Sequence, residues 1–158
     1  MTHKDTQSDH QPALLERALE IAVQAHLGQR DKAGAPYLFH PVKLALQAES
    51  EEAMIVALLH DVVEDADEEW SFEDLREEGF TPTVVEALRC LTKADDEHGT
   101  DAGYAKFIQR IKGNKLARRV KLLDLADNMN LLRLETLSEK DLSRQAKYHR
   151  AWQELQGD

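Results

Sequence analysis

The stretch "ALLHDVVEDADEEW", residues 57–70, closes an apolar run on His60 and Asp61 and then adds Glu64 and Asp65. Carboxylates packed this closely repel one another, and late in a helix they also oppose its dipole. Helical residues three and four apart are neighbours, which sets His60 beside Glu64, and Asp61 beside both Glu64 and Asp65. His60 and Asp61 diverge by about 100° in an ideal helix, yet both can lean on one ion beside it. Asp67, Glu68 and Glu69 read as solvated acids. His60 and Asp61 directly follow the most apolar segment of the chain, and near-buried charge needs a partner. A divalent cation would turn that repulsion into coordination.

Two distant segments offer further ligands. His40 stands in "PYLFHPV", after Tyr37, Leu38 and Phe39. Asp124 stands in "RRVKLLDLADNMNLLRL", flanked by Leu123 and Leu125, with Asp127 and Asn128 three and four residues on. An aspartate among leucines is costly unless something pairs with it. Lys121, three residues earlier, is the alternative partner, and a packed imidazole is the alternative for His40. Imidazole with carboxylate suits Mn²⁺, Fe²⁺ or Zn²⁺.

Helices must position these groups. A first helix opens near Pro12 and stops near Gly28; a second runs from Pro41 to about Ala48. Ser50 caps a third, whose core "AMIVALLHDVV" is apolar nearly all round and therefore central. Ser71 with Asp74, and Ser138 with Asp141, resemble capping boxes. Thr81-Pro82 opens a helix to about Lys93, "ADDEHGTD" is a polar loop, and a helix covers about 102–112. After Gly113-Asn114 a long helix runs from Lys115 to about Arg133. No stretch alternates with period two. The fold class is all-α, a bundle of seven or eight helices, with a disordered tail over 1–11 and one domain over 12–158.

The size of 158 residues fits one domain that folds without disulfides. The net charge of −10 argues against sequence-independent nucleic-acid binding. It leaves room for a small anionic substrate, because local potential can oppose net charge. The single cysteine, Cys90, lies in an apolar helix and reads as a packed thiol. No window is apolar enough for a membrane span, and the polar N-terminus does not resemble a secretory signal, so a cytoplasmic protein is expected. The last helix, with Tyr148, Trp152 and Leu155, docks on its own chain or in a homodimer.

In order, "GQRDKAGAPYLFHP", "ALLHDVVED", "LTK" and "VKLLDLADNMN" resemble the HD-domain hydrolase of RelA/SpoT proteins, and more closely its stand-alone short versions, the small alarmone hydrolases. The resemblance spans about residues 13–135. It implies an all-helical HD fold and a Mn²⁺-dependent enzyme that removes the 3′-diphosphate of guanosine tetra- or pentaphosphate, giving GDP or GTP and pyrophosphate. It implies that His40, His60, Asp61 and Asp124 hold the metal and that Glu64 and Asp65 orient and activate the attacking water. It places Lys32 near the substrate phosphates and Asn128 in the nucleoside pocket. At this length no synthetase or regulatory region is expected. The chain departs from the long members at Asp31, where they tend to carry arginine before the lysine, and at Asn130, where "DNMN" stands for "HNMR".

A divalent ion would lower the pKa of a water and neutralise phosphoryl charge. Glu64 would take the proton, with Asp65 orienting the water or sharing the role. Cations must face the phosphates; after Lys32 come Lys121, Arg30, Lys93 and Lys106. Tyr37 either stacks on or hydrogen-bonds the nucleoside or packs under its loop, and Leu131 and Leu134 read first as helix core and otherwise as walls of a base slot. Two alternatives stay open: an HD phosphohydrolase of another nucleotide, and a non-catalytic nucleotide-sensing or partner-binding domain.

Overall fold

The computed structural model describes residues 13–65 and 69–157, the side chain of Asp65 excepted. The expected tail over 1–11, the opening at Pro12, and Asp67 and Glu68 lie outside the described residues. The architecture is all-α: eight helices of six residues or more and one of four, with no strand among the described residues. They are α1 (Leu14–His26), α2 (Phe39–Gln47), α3 (Glu51–Leu59), α4 (Val62–Asp65), α5 (Phe72–Glu77), α6 (Pro82–Leu91), α7 (Asp101–Lys112), α8 (Lys115–Asn128) and α9 (Glu139–Gln156).

Helix α3 is the hub. Ala53, Ile55, Val56, Ala57, Leu58 and Leu59 are all buried, as an all-round apolar helix requires. It packs on α1, α2, α6 and α8. Local chemistry sets its start: the Ser50 side chain accepts from the Ala53 amide. Thr81 and Thr100 cap α6 and α7 in the same way, and Ser71 with Asp74 and Ser138 with Asp141 form complete capping boxes. Arg17 of α1 donates two hydrogen bonds, of 2.7 and 2.6 Å, to Glu78 just past α5. Cys90 is free and buried, and burial pushes its thiol pKa up.

Two boundaries differ from expectation. Helix α3 ends at Leu59, so His60 and Asp61 form a junction before α4 rather than lying mid-helix. Here the His60 ring takes the Ala57 carbonyl, 2.6 Å from Nδ1. Helix α8 ends at Asn128, not near Arg133: the Asn130 side chain accepts from the Leu132 amide and starts a separate 3-10 turn over 131–133. Leu131 and Leu134 therefore share no α-helical face.

The loop after α6 is also more than polar. Residues 95–97 form a 3-10 turn, and Glu97 is 1% exposed. Its carboxylate accepts from Arg110 at both oxygens and from the Ala94 amide at 3.0 Å. Helix α7 lies so close that a Cβ at Gly103 would sit 2.7 Å from the Glu97 Cα. The hydrogen bond from Arg110 outweighs burial and holds Glu97 below the usual carboxylate range. A depressed folded pKa stabilises above the unfolded value of about 4.3, and that contribution fades as pH falls through the folded one. Glu97→Gln is therefore expected to cost about 3 kcal/mol at pH 7, because it leaves Arg110 unmatched. The deficit will shrink below about pH 4, as paired denaturant titrations at the two pH values will read.

Candidate active site

Three segments converge on one point beside α3. His40 comes from the first turn of α2, His60 from the α3–α4 junction and Asp124 from α8. One ligand atom from each lies within 4.8 Å of the others. His40 Nε2 is 2.9 Å and His60 Nε2 3.8 Å from Asp124 Oδ1. Asp61 stands beside this trio: its Oδ2 is 3.0 Å from His60 Nε2 and accepts a hydrogen bond from the Tyr37 hydroxyl.

The donor set fits a divalent cation. A carbonyl can only accept, so His60 Nδ1–H donates to Ala57 and Nε2 is turned into the site. That Nε2 is buried and has no hydrogen-bond partner among the described residues, although carboxylates stand near it. Close approach without hydrogen-bond alignment is the arrangement of groups that share an ion. The field there favours positive charge, which a cation would supply in place of a proton on Nε2. Burial would lower the His60 pKa, but Asp61 and Asp124 outweigh it and lift it to about 9. Burial would raise Asp61, but His60 and Tyr37 hold it down to about 2. Burial would likewise raise Asp124, yet Lys121, His40 and His60 hold it well below the usual range.

Neighbouring residues orient the trio. His40 Nδ1 lies 2.6 Å from Asp127 Oδ2, so Nδ1–H donates to the carboxylate and Nε2 is left to the site. Asn128 Nδ2 donates to Asp124 Oδ1 at 2.8 Å, and Lys121 Nζ to Oδ2 at 2.7 Å. Asp127 carried no expected role. The signal was present: it lies one turn beyond Asp124, and a ligating imidazole needs an acceptor behind it. Asp127→Ala is expected to weaken divalent binding by about 10–100-fold with the fold kept, as calorimetric titration with Mn²⁺ will show.

A cavity of about 180 Å³ opens on the trio. Glu64 lines it, with its side chain 26% exposed and Oε1 3.9 Å from His98 Nε2. Tyr37, Asp61, Lys93, Phe107, Lys121 and Asn128 line it too. The Asp65 carboxylate lies outside the described residues.

Several expected substrate contacts also have partners within the protein. Tyr37 addresses Asp61, and Asn128 and Lys121 address Asp124. Lys32 is not among the cavity-lining residues; burial lowers its pKa, and Arg144, Asp141, Arg133 and Lys140 surround it near the start of α9. Arg30 is exposed and reaches the Gly34 carbonyl, and Lys106 pairs with Asp96 at 2.8 Å. Asp31 and Asn130, the two departures, both serve the backbone. Asp31 Oδ1 accepts from the Ala33 and Ala35 amides, at 2.9 Å each, and shapes the loop that delivers Tyr37 and His40.

A family model described as "HD domain" matches residues 18–155. The chain is 32% identical over 124 residues to a GTP pyrophosphokinase of Streptomyces coelicolor, covering 75% of this chain and 14% of that one. It is 31% identical over 124 residues to a guanosine-3′,5′-bis(diphosphate) 3′-pyrophosphohydrolase of Aquifex aeolicus, with 75% and 18% covered. It is 34% identical over 126 residues to the bifunctional (p)ppGpp synthase/hydrolase SpoT of Escherichia coli, again with 75% and 18% covered. The chain thus spans less than a fifth of the length of these curated relatives. A solved structure described as "A metazoan ortholog of SpoT hydrolyzes ppGpp and plays a role in starvation responses" superposes with a TM-score of 0.75 at 26% identity, covering 95% of this chain and 89% of that one. No helix among the described residues is long and apolar enough to cross a membrane.

Proposed function

The chain belongs to the HD domain family, and on that premise we propose that it hydrolyses the 3′-diphosphate of guanosine 3′,5′-bis(diphosphate), releasing pyrophosphate and GDP, with Mn²⁺ as the resident ion. The observation that carries this reading is the convergence of His40, His60 and Asp124 within 4.8 Å, at the floor of a cavity that Glu64 also lines. The names of the similar proteins supply the substrate class.

His40, His60, Asp61 and Asp124 would hold the ion, which would lower the pKa of a water and neutralise developing phosphoryl charge. Glu64 accepts that water's proton, its partly exposed carboxylate keeping a path back to solvent. Asp65 follows it directly in the chain and shares the role of orienting the water. Asp127 holds the His40 ring and Asn128 the Asp124 carboxylate, so both ligands are positioned before substrate arrives. Lys121 faces the same cavity and offsets the charge of the diphosphate. Asp31 and Asn130 act on their own backbone. The test is direct: purified protein with ppGpp and Mn²⁺ will yield GDP and pyrophosphate, resolved by anion-exchange chromatography. Protein that holds Mn²⁺ and leaves ppGpp intact would reject the assignment.

A further inference from the structure

A second cavity, also of about 180 Å³, adjoins the first and shares Lys93 with it. Tyr104, Lys147, Thr100 and Asp101 line it as well. The two cavities are joined by a row of ammonium groups laid over two aromatic rings. Lys121, which touches Asp124, has its Nζ 5.3 Å from the centre of the Phe107 ring, and Lys93 Nζ is 5.7 Å from that same ring. Phe107 and Tyr104 are 6.2 Å apart, centroid to centroid. Over Tyr104 stand Lys93 Nζ at 5.5 Å and Lys147 Nζ at 4.6 Å.

This row carries more positive charge than the protein neutralises. Lys106, Lys112 and Lys121 each have a carboxylate within 2.8 Å. Among the described residues, Lys93 and Lys147 have none within 4.0 Å. The Glu97 carboxylate at the edge of the second cavity is taken by Arg110. Asp101 is left as the acid acting on Lys147, and burial, Lys93 and Arg144 together outweigh it and lower the Lys147 pKa. Tyr104 is 9% exposed, and its hydroxyl has no hydrogen-bond partner among the described residues. Like charges held over a shared ring, in a recess and unmatched, fit an anion that the protein does not itself contain.

Resting on the proposed function, we propose that Lys93 and Lys147 over Tyr104 form the site for the substrate's second, 5′ diphosphate. A bis(diphosphate) nucleotide has two anionic arms on one ribose. With the 3′ arm at the His40–His60–Asp124 trio, the lysine row leads from Lys121 to a separate recess for the other. The recess thereby selects nucleotides phosphorylated at both ends.

The test compares two substrates, ppGpp and guanosine 3′-diphosphate with a free 5′-hydroxyl, in wild type, Lys147→Gln and Lys147→Arg, all with Mn²⁺. Wild type is expected to show a lower KM for ppGpp. In Lys147→Gln the ratio of the ppGpp KM to the analogue KM will rise about tenfold, the loss of one charged hydrogen bond. Lys147→Arg will restore most of the preference. A KM ratio in Lys147→Gln within twofold of wild type overturns the inference while leaving the hydrolase reading intact. Wild-type protein that cleaves neither compound overturns both.

Discussion

Asp124→Asn will lose tight divalent binding, and its turnover of ppGpp will drop by about 10³-fold or more, the scale of removing a metal's several kcal/mol of charge stabilisation. The reason is the number of groups that meet at this carboxylate. Asp124 touches His40 Nε2 at 2.9 Å, Lys121 Nζ at 2.7 Å and Asn128 Nδ2 at 2.8 Å, with His60 Nε2 3.8 Å away. Its negative charge is also what offsets the Lys121 ammonium, whose side chain is 14% exposed. Asparagine keeps the shape and removes the charge, so two effects separate. Lys121 left without its counter-charge lowers stability by about 3 kcal/mol. Loss of metal removes the extra stability that Mn²⁺ confers on wild type, about 2.7 kcal/mol at a hundredfold excess over Kd. Thermal melts with and without Mn²⁺, joined to metal analysis, read both. A variant that still gains wild-type stability from Mn²⁺ would remove Asp124 from the ligand set.

The same residue shows what a sequence can disclose. An aspartate between leucines demands a partner, and so does a histidine–aspartate pair at the end of an apolar run. Those demands, made by separate segments, are met in one place. The helix starts were legible for a related reason: Ser50, Ser71, Thr81 and Ser138 each satisfy backbone amides within three residues, so the signal is local. What stayed hidden is side chain acting on its own backbone, or on a distant charge. His60 taking the Ala57 carbonyl ends α3, and Asn130 taking the Leu132 amide ends the α8 pattern that Leu131 and Leu132 continue on paper. Glu97 reads as one more loop acid, because the guanidinium that buries it is thirteen residues away. Resemblance sets Asn128 beside the substrate and residue chemistry sets Tyr37 and Lys121 there; in the fold each also holds a carboxylate of the site. Those partners depend on packing that spacing does not encode.

For Glu64, burial and charge point to chemistry rather than to ligation. It lies beyond the junction that carries His60 and Asp61, lines the same cavity, and keeps its side chain 26% exposed. Glu64→Gln is therefore expected to leave Mn²⁺ affinity and melting temperature near wild type while lowering kcat by about 10²–10⁴-fold, the usual contribution of a positioned base. Glutamine fills the same volume and still hydrogen-bonds a water, but it cannot accept the proton. KM will move little, because the lost interaction belongs to the transition state. Asp65→Asn and the double variant complete the comparison. If the two carboxylates act as a unit, the double loss will fall well short of the product of the single losses. A kcat for Glu64→Gln within a few-fold of wild type, with metal bound, would move the base to Asp65; if Asp65→Asn were equally active, neither carboxylate would be the base.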